Sequence, residues 1–75
     1  MTDTILLKEK IKESGYKIHY VAKFAGLSYQ GLLNKMNNIS DFRAGEITKL
    51  CTLLHINAEE KEKIFFASVL PKIAT

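Results

Sequence analysis

The chain has 75 residues, 47% of them hydrophobic, and carries 11 Lys or Arg against 8 Asp or Glu, a formal net charge of +3. This length makes one small domain over residues 1–75, with a core that supplies only a few kcal/mol of net stability. No apolar stretch approaches the roughly 18 residues of a membrane span, the start MTDTILLKEK has an acid at once and no cleavage site of a secretion leader, and the single Cys51 cannot form an internal disulfide, which fits a reducing cytoplasm.

The first helix is expected from Asp3 or Thr4 to Ser14. Asp3 can cap it, and a carboxylate suits the positive end of the helix dipole. Leu7 and Ile11, helped by Leu6, make its inner stripe, while Glu9, Lys10, Lys12 and Glu13 face water. Gly15 stops it, and Tyr16 and Lys17 lead into a second helix of about Ile18 to Ala25. There Val21, Ala22 and Ala25 lie three and four apart and share one face, with Phe24 beside them. Small Ala22 admits a close helix crossing. Gly26 ends this helix, Leu27 plugs the turn, and Ser28 caps a third helix running to Met36. Leu32, Leu33 and Met36 face inward, which leaves Tyr29, Gln30, Gly31, Asn34 and Lys35 outward.

A polar loop, Asn37 to Asp41, follows, with Phe42 folding back as a plug. The fourth helix spans about Ala44 to Leu54, with Ile47, Leu50, Cys51 and Leu54 at i, i+3, i+4 and i+7 on one apolar face. Gly45 in its first turn costs up to about 1 kcal/mol against Ala. After His55 and Ile56, Asn57 and Glu60 form a capping box for a fifth helix. That helix carries Ile64, Phe65, Phe66 and Val69, and Pro71 ends it near Leu70. No useful alternating strand pattern appears. The expected fold is all-α, a compact bundle of five short helices, with an apolar C-terminal extension at residues 68–75.

The stretch Ile18 to Asn37 has the pattern of a helix-turn-helix. In that unit one helix lies across the DNA backbone while the next enters the major groove with its N-terminal residues first. The competing reading is two helices of an ordinary bundle. Charge leans towards the first. Between Lys17 and Arg43 four basic residues (Lys17, Lys23, Lys35, Arg43) face one acid, Asp41, while acids cluster at Glu9, Glu13, Glu59, Glu60 and Glu62. Gln30 is the best candidate base reader, because its amide can pair bidentately with adenine N6 and N7. Tyr29 and Asn34 are the other base-contact candidates. Lys17, Lys23, Ser28, Lys35, Asn38 and Arg43 are candidates for phosphate, contacts that position rather than specify. For each, the simpler alternative is a solvated surface residue.

Catalytic and metal chemistry lack a basis. His19 and His55 have no Cys or carboxylate at ligand spacing, so no metal site is expected. Cys51 reads as core, and Glu59, Glu60 and Glu62 as cap and surface charge. There is no Gly-rich phosphate loop. No enzyme activity and no cofactor are expected.

The segments GLSYQGLLNKMNN, DFRAGEITKLCTLL and EKIFF resemble the G-S-T-L-x-x-K-L-N, E-F-x-x-x-E-I-x-x-L and Y-F-F patterns of the phage-repressor and Cro-like helix-turn-helix regulators, the lambda-repressor-like fold. The likeness covers Leu6 to Phe66. Within that group the chain is similar to small Cro-like or antirepressor (modulator of repression) proteins of temperate phages of Gram-positive bacteria. It departs at Gly31, where the family commonly places Thr or Ser, and at Lys35, where an apolar residue is common. The resemblance implies a sequence-specific DNA-binding regulator of the Cro/repressor type, acting on double-stranded operator DNA in a lysis–lysogeny switch in the bacterial cytoplasm. Pairs of subunits would read a two-fold operator. The alternative within the same family is an antirepressor that forms a complex with the phage lysogeny repressor. Phe66, Val69, Leu70 and Ile73 are more apolar surface than five short helices need to bury, and mark the expected dimer or partner interface.

Overall fold

Helix boundaries in this chain are set by capping chemistry that acts over three or four residues. In a computed structural model, which describes residues 1–66, the helices are α1 (Thr4–Ser14), α2 (Ile18–Ala25), α3 (Tyr29–Met36), α4 (Ala44–Leu54) and α5 (Ala58–Phe65), with no strand among the described residues. The Asp3 carboxylate accepts from the Leu6 N–H at 3.1 Å, and Ser28 Oγ accepts from the Gly31 N–H at 2.9 Å. Asn57 and Glu60 cap each other's backbone, at 2.8 and 3.1 Å. The α4 terminus uses a different partner: the Arg43 N–H donates to Glu46 Oε1 at 2.9 Å.

The reversal between α2 and α3 depends on Gly26, which takes the left-handed conformation at φ 80°. The Leu27 N–H then donates to the Ala22 carbonyl at 2.8 Å and closes the end of α2. Leu27 itself lies half-buried under the turn.

The core is one cluster. α1 contributes Leu7 and Ile11, α2 Val21, Ala22 and Ala25, and α3 Leu32 and Met36. α4 contributes Ile47, Leu50, Leu53 and Leu54, and Ile56, Ile64 and Phe65 complete it. α2 packs across α4 and α3, while α1 packs against α4 and α5. Phe42 does fold back, its ring edge-on to Phe65 with centroids 5.4 Å apart at 87°. The first residues strap the bundle from outside. The Asp3 N–H donates to the Ile64 carbonyl at 2.6 Å, and the Thr4 hydroxyl donates to the Met36 carbonyl. Lys10 and Glu60 pair at 2.7 Å across α1 and α5.

Ser28 caps α3 as expected, and the helix begins at Tyr29. The structure departs from the sequence reading in three places. Leu53 is buried while Cys51 and Leu33 are only half-buried, because α4 is flanked on two sides and its apolar face is wider than one stripe. Phe24 turns outward. α5 stops at Phe65 and not near Leu70: the Phe66 backbone leaves the helix at φ −127° after a last bond to the Glu62 carbonyl, and its ring packs against the core. Val69, Leu70, Pro71 and Ile73, with the expected extension at 68–75, lie outside the described residues. No described helix is long and apolar enough to cross a membrane.

Leu50 is fully buried where α4 meets the other helices. Leu50→Ala should cost about 2–5 kcal/mol, the cost of transfer plus the cavity left behind. A denaturant titration measures it, and a loss under about 0.5 kcal/mol would refute this packing.

Candidate nucleic-acid interface

Burial of Leu32 and Met36 fixes the rotation of α3 about its axis. Its opposite face then presents Tyr29 and Gln30, both exposed as expected, with Asn34 only half-buried beside them. One turn apart, Gln30 Nε2 donates to Asn34 Oδ1 at 2.9 Å. The pair leaves the Gln30 carbonyl oxygen as a free acceptor and the Asn34 amide as a free donor. Together they supply what an adenine edge needs, a donor for N7 and an acceptor for N6. Tyr29 is braced from α2: its ring stacks on His19 with centroids 4.4 Å apart and planes 21° from parallel.

Around this face, Lys17, Lys23 and Arg43 are exposed. Lys17 and Arg43 immediately precede α2 and α4, so each cation stands beside free backbone N–H groups. Neither α2 nor α3 contains an acid. Ser28 is exposed but its oxygen is engaged as the α3 cap.

Two of the sequence-derived phosphate candidates are engaged internally. Lys35 Nζ lies 2.7 Å from Glu46 Oε1, the two side chains only 14% and 15% exposed. Burial pushes the Glu46 carboxyl up, but the Arg43 N–H and the Lys35 ammonium outweigh it and hold the carboxyl below its ordinary range. Asn38 adopts the left-handed conformation at φ 64°. Its Oδ1 accepts from the Thr2 N–H at 2.8 Å and its Nδ2 donates to the Thr2 carbonyl at 2.9 Å. Lys35 and Asn38 therefore hold α3 in place. A residue absent from the sequence reading, Lys49, joins the face. Its ammonium sits over the α2–α3 turn, 3.8 Å from where a β-carbon on Gly26 would stand. Only the packing of α2 on α4 brings it there, so no local signal marked it.

Gly31 also has a visible reason. A β-carbon there would stand 2.9 Å from Ser28 Oγ, the atom that caps α3. The expected interface residue Phe66 is half-buried against the core. Burial pushes the Cys51 thiol up, which lowers its thiolate fraction. Among the described residues no three His, Cys, Asp or Glu side chains converge to hold a metal ion. No protein-family model, curated protein or solved structure matches the chain significantly.

Glu46→Gln keeps an acceptor for the Arg43 N–H but removes the ion pair. It leaves the Lys35 ammonium unpaired in a partly buried site and should cost about 1–3 kcal/mol at neutral pH, between an exposed pair and a buried one. The folded-state carboxyl is shifted down, so its contribution is full above the unfolded value, about 4.3, and is lost as pH falls through the folded one. Thermal melts from pH 7 to pH 3 should therefore show a shallower acid loss in the variant than in the wild type. Parallel curves would refute the ion-pair assignment.

Proposed function

We propose that the chain is a sequence-specific DNA-binding transcriptional regulator. On this reading α2, the Gly26 turn and α3 serve as the helix-turn-helix of a lambda-repressor-like domain. The observation that carries it is the exposed Gln30–Asn34 amide pair on the outer face of α3, within a two-helix unit that has no acid. A groove-reading helix needs outward groups that both donate and accept, and surroundings that tolerate phosphate.

The proposed mechanism follows from the placement of each group. α3 enters the major groove with its N-terminal turn first. Gln30 pairs with an adenine, Asn34 holds the Gln30 amide in plane and adds a donor, and Tyr29 packs on a thymine methyl or a phosphate. Lys17 and Arg43 neutralise phosphates on either side of the groove, with Lys23 and Lys49 beside them. These contacts fix register without reading sequence. A two-fold pair of subunits would double the site. The resemblance to Cro-like regulators supports a role as a repressor in a phage lysis–lysogeny switch.

The second reading is an antirepressor that binds a lysogeny repressor protein. It is favoured by the exposed aromatic residues of α2, Tyr20 and Phe24, which a duplex read by α3 does not need.

Duplexes selected from a random pool, followed by gel shift, test the first reading. Gln30→Ala buries nothing and should leave the circular dichroism spectrum and melting point unchanged. It should weaken the selected site by about 1–3 kcal/mol and relax preference at one base pair, with nonspecific affinity retained. Equal affinity and equal preference in the variant would defeat the base-reading assignment. Salt provides an independent measure: four cations, Lys17, Lys23, Lys49 and Arg43, give a log–log slope of about −3.6 for each bound subunit. A flat salt response would remove them from the phosphate face.

A further inference from the structure

Tyr20 stands at the centre of a row of rings that DNA reading by α3 does not use. Four residues to either side lie Tyr16 and Phe24, and three residues to either side lie Lys17 and Lys23. Within α2 these spacings make Lys23 and Phe24 neighbours of Tyr20, while Tyr16 and Lys17 precede the helix at its N-terminus. The rings form a continuous row, with centroids 5.1 Å apart from Tyr16 to Tyr20 and 6.5 Å from Tyr20 to Phe24. They are 42%, 49% and 40% exposed, and both lysines are exposed beside them. His19, the residue stacked on Tyr29, precedes Tyr20 and is rotated from it by about 100° around the helix. The rings therefore face away from the His19–Tyr29 stack, and of this flank the DNA reading uses only the two lysines.

We propose that this row is a docking surface for an acidic amphipathic helix of another protein. The partner's apolar stripe would cover the rings, and its carboxylates would meet Lys17 and Lys23. Charge decides the sign of the partner. α2 and α3 carry no acid. One acid, Glu13, borders the hollow beside Tyr16, together with Lys10, which pairs with Glu60, and the apolar Leu53. A second copy of the chain, presenting the same face, would set Lys17 and Lys23 against their own counterparts with no acid between them. Unpaired bases need open ring faces to stack on. Here the rings tilt 38° and 43° onto one another, and more than half of each residue is covered. The proposal deepens the protein-binding reading and shares Lys17 and Lys23 with the DNA reading without resting on it, and its test contains no duplex.

The test titrates the isotope-labelled full chain with three probes, read by amide NMR. The first is a helical peptide with Leu at i, i+4 and i+8 and Glu three residues to either side of the central Leu. The second carries Lys in place of each Glu, and the third is an oligothymidylate. The acidic peptide should shift the amides of Tyr16 to Phe24 saturably, and the basic one should bind at least about tenfold more weakly. Reversing both charges, Lys17→Glu with Lys23→Glu, should invert that preference. Tyr20→Ser should keep the native spectrum and weaken the acidic peptide by about tenfold. The proposal is overturned by the absence of saturable shifts up to about 1 mM acidic peptide, by equal binding of the two peptides, by shifts centred outside α2, or by an unchanged preference in the charge-reversed chain. Displacement of the acidic peptide by oligothymidylate at the same amides would overturn it in favour of nucleic acid.

Discussion

An eight-residue helix does not hold itself together in water, and α3 has eight residues. Its outer face can therefore be definite only because the rest of the chain grips it. At the start, Ser28 caps it and Gly26 sets the angle at which it leaves α2. At the far end, Asn38 takes a left-handed conformation and clasps the Thr2 backbone with both atoms of its amide, and Thr4 reaches the Met36 carbonyl. Along one side Lys35 ties it to the first turn of α4 through Glu46. Leu32 and Met36 fill the core beneath. A helix restrained in this way presents Gln30 and Asn34 without further ordering, which lowers the entropic cost of any contact they make.

The same grip separates two kinds of cation. Lys35 is inside the lattice of contacts, paired in a partly buried site where one charge without the other would be costly. Lys17, Lys23 and Arg43 are outside it and exposed, with no ion pair among the described residues. The amide face of α3 and the aromatic flank of α2 adjoin along the His19–Tyr29 stack. Lys17 and Lys23 belong to both surfaces. In the proposed roles they would neutralise phosphate in one complex and carboxylate in the other, so a nucleic acid and an acidic helix would oppose each other's binding. That is linkage through shared side chains and requires no conformational change.

Most of the helix frame was legible because its determinants are local. Asp3, Gly15, Gly26, Ser28 and Asn57 act within three or four positions, and α1, α2 and α4 lie where their spacing predicts. The outward set of α3 was legible for the same reason, since the buried leucine and methionine define its opposite. What escaped was non-local. Lys35 and Asn38 look like free polar residues until Glu46 and Thr2 are brought beside them, eleven and thirty-six positions away. Lys49 joins the turn only through the α2–α4 crossing. Phe24 was read beside an inner face because an apolar residue next to Ala25 resembles core, whereas it completes an exposed row with Tyr16 and Tyr20. The end of α5 escaped because Phe66 leaves the helix to pack against the core, and helix propensity does not report packing.

The aromatic inventory has an optical consequence. The chain has no tryptophan and three tyrosines. All three, Tyr16, Tyr20 and Tyr29, stand half-exposed on or beside α2. None belongs to the buried core. The protein's own ultraviolet emission therefore originates from its candidate binding surfaces and hardly at all from its interior. Unfolding should alter that emission only by releasing the Tyr16–Tyr20 and His19–Tyr29 ring contacts, not by exposing a buried ring. A ligand that covers them should alter it strongly. For this molecule, intrinsic fluorescence is a built-in reporter of its surfaces, and of their occupancy, more than of its core.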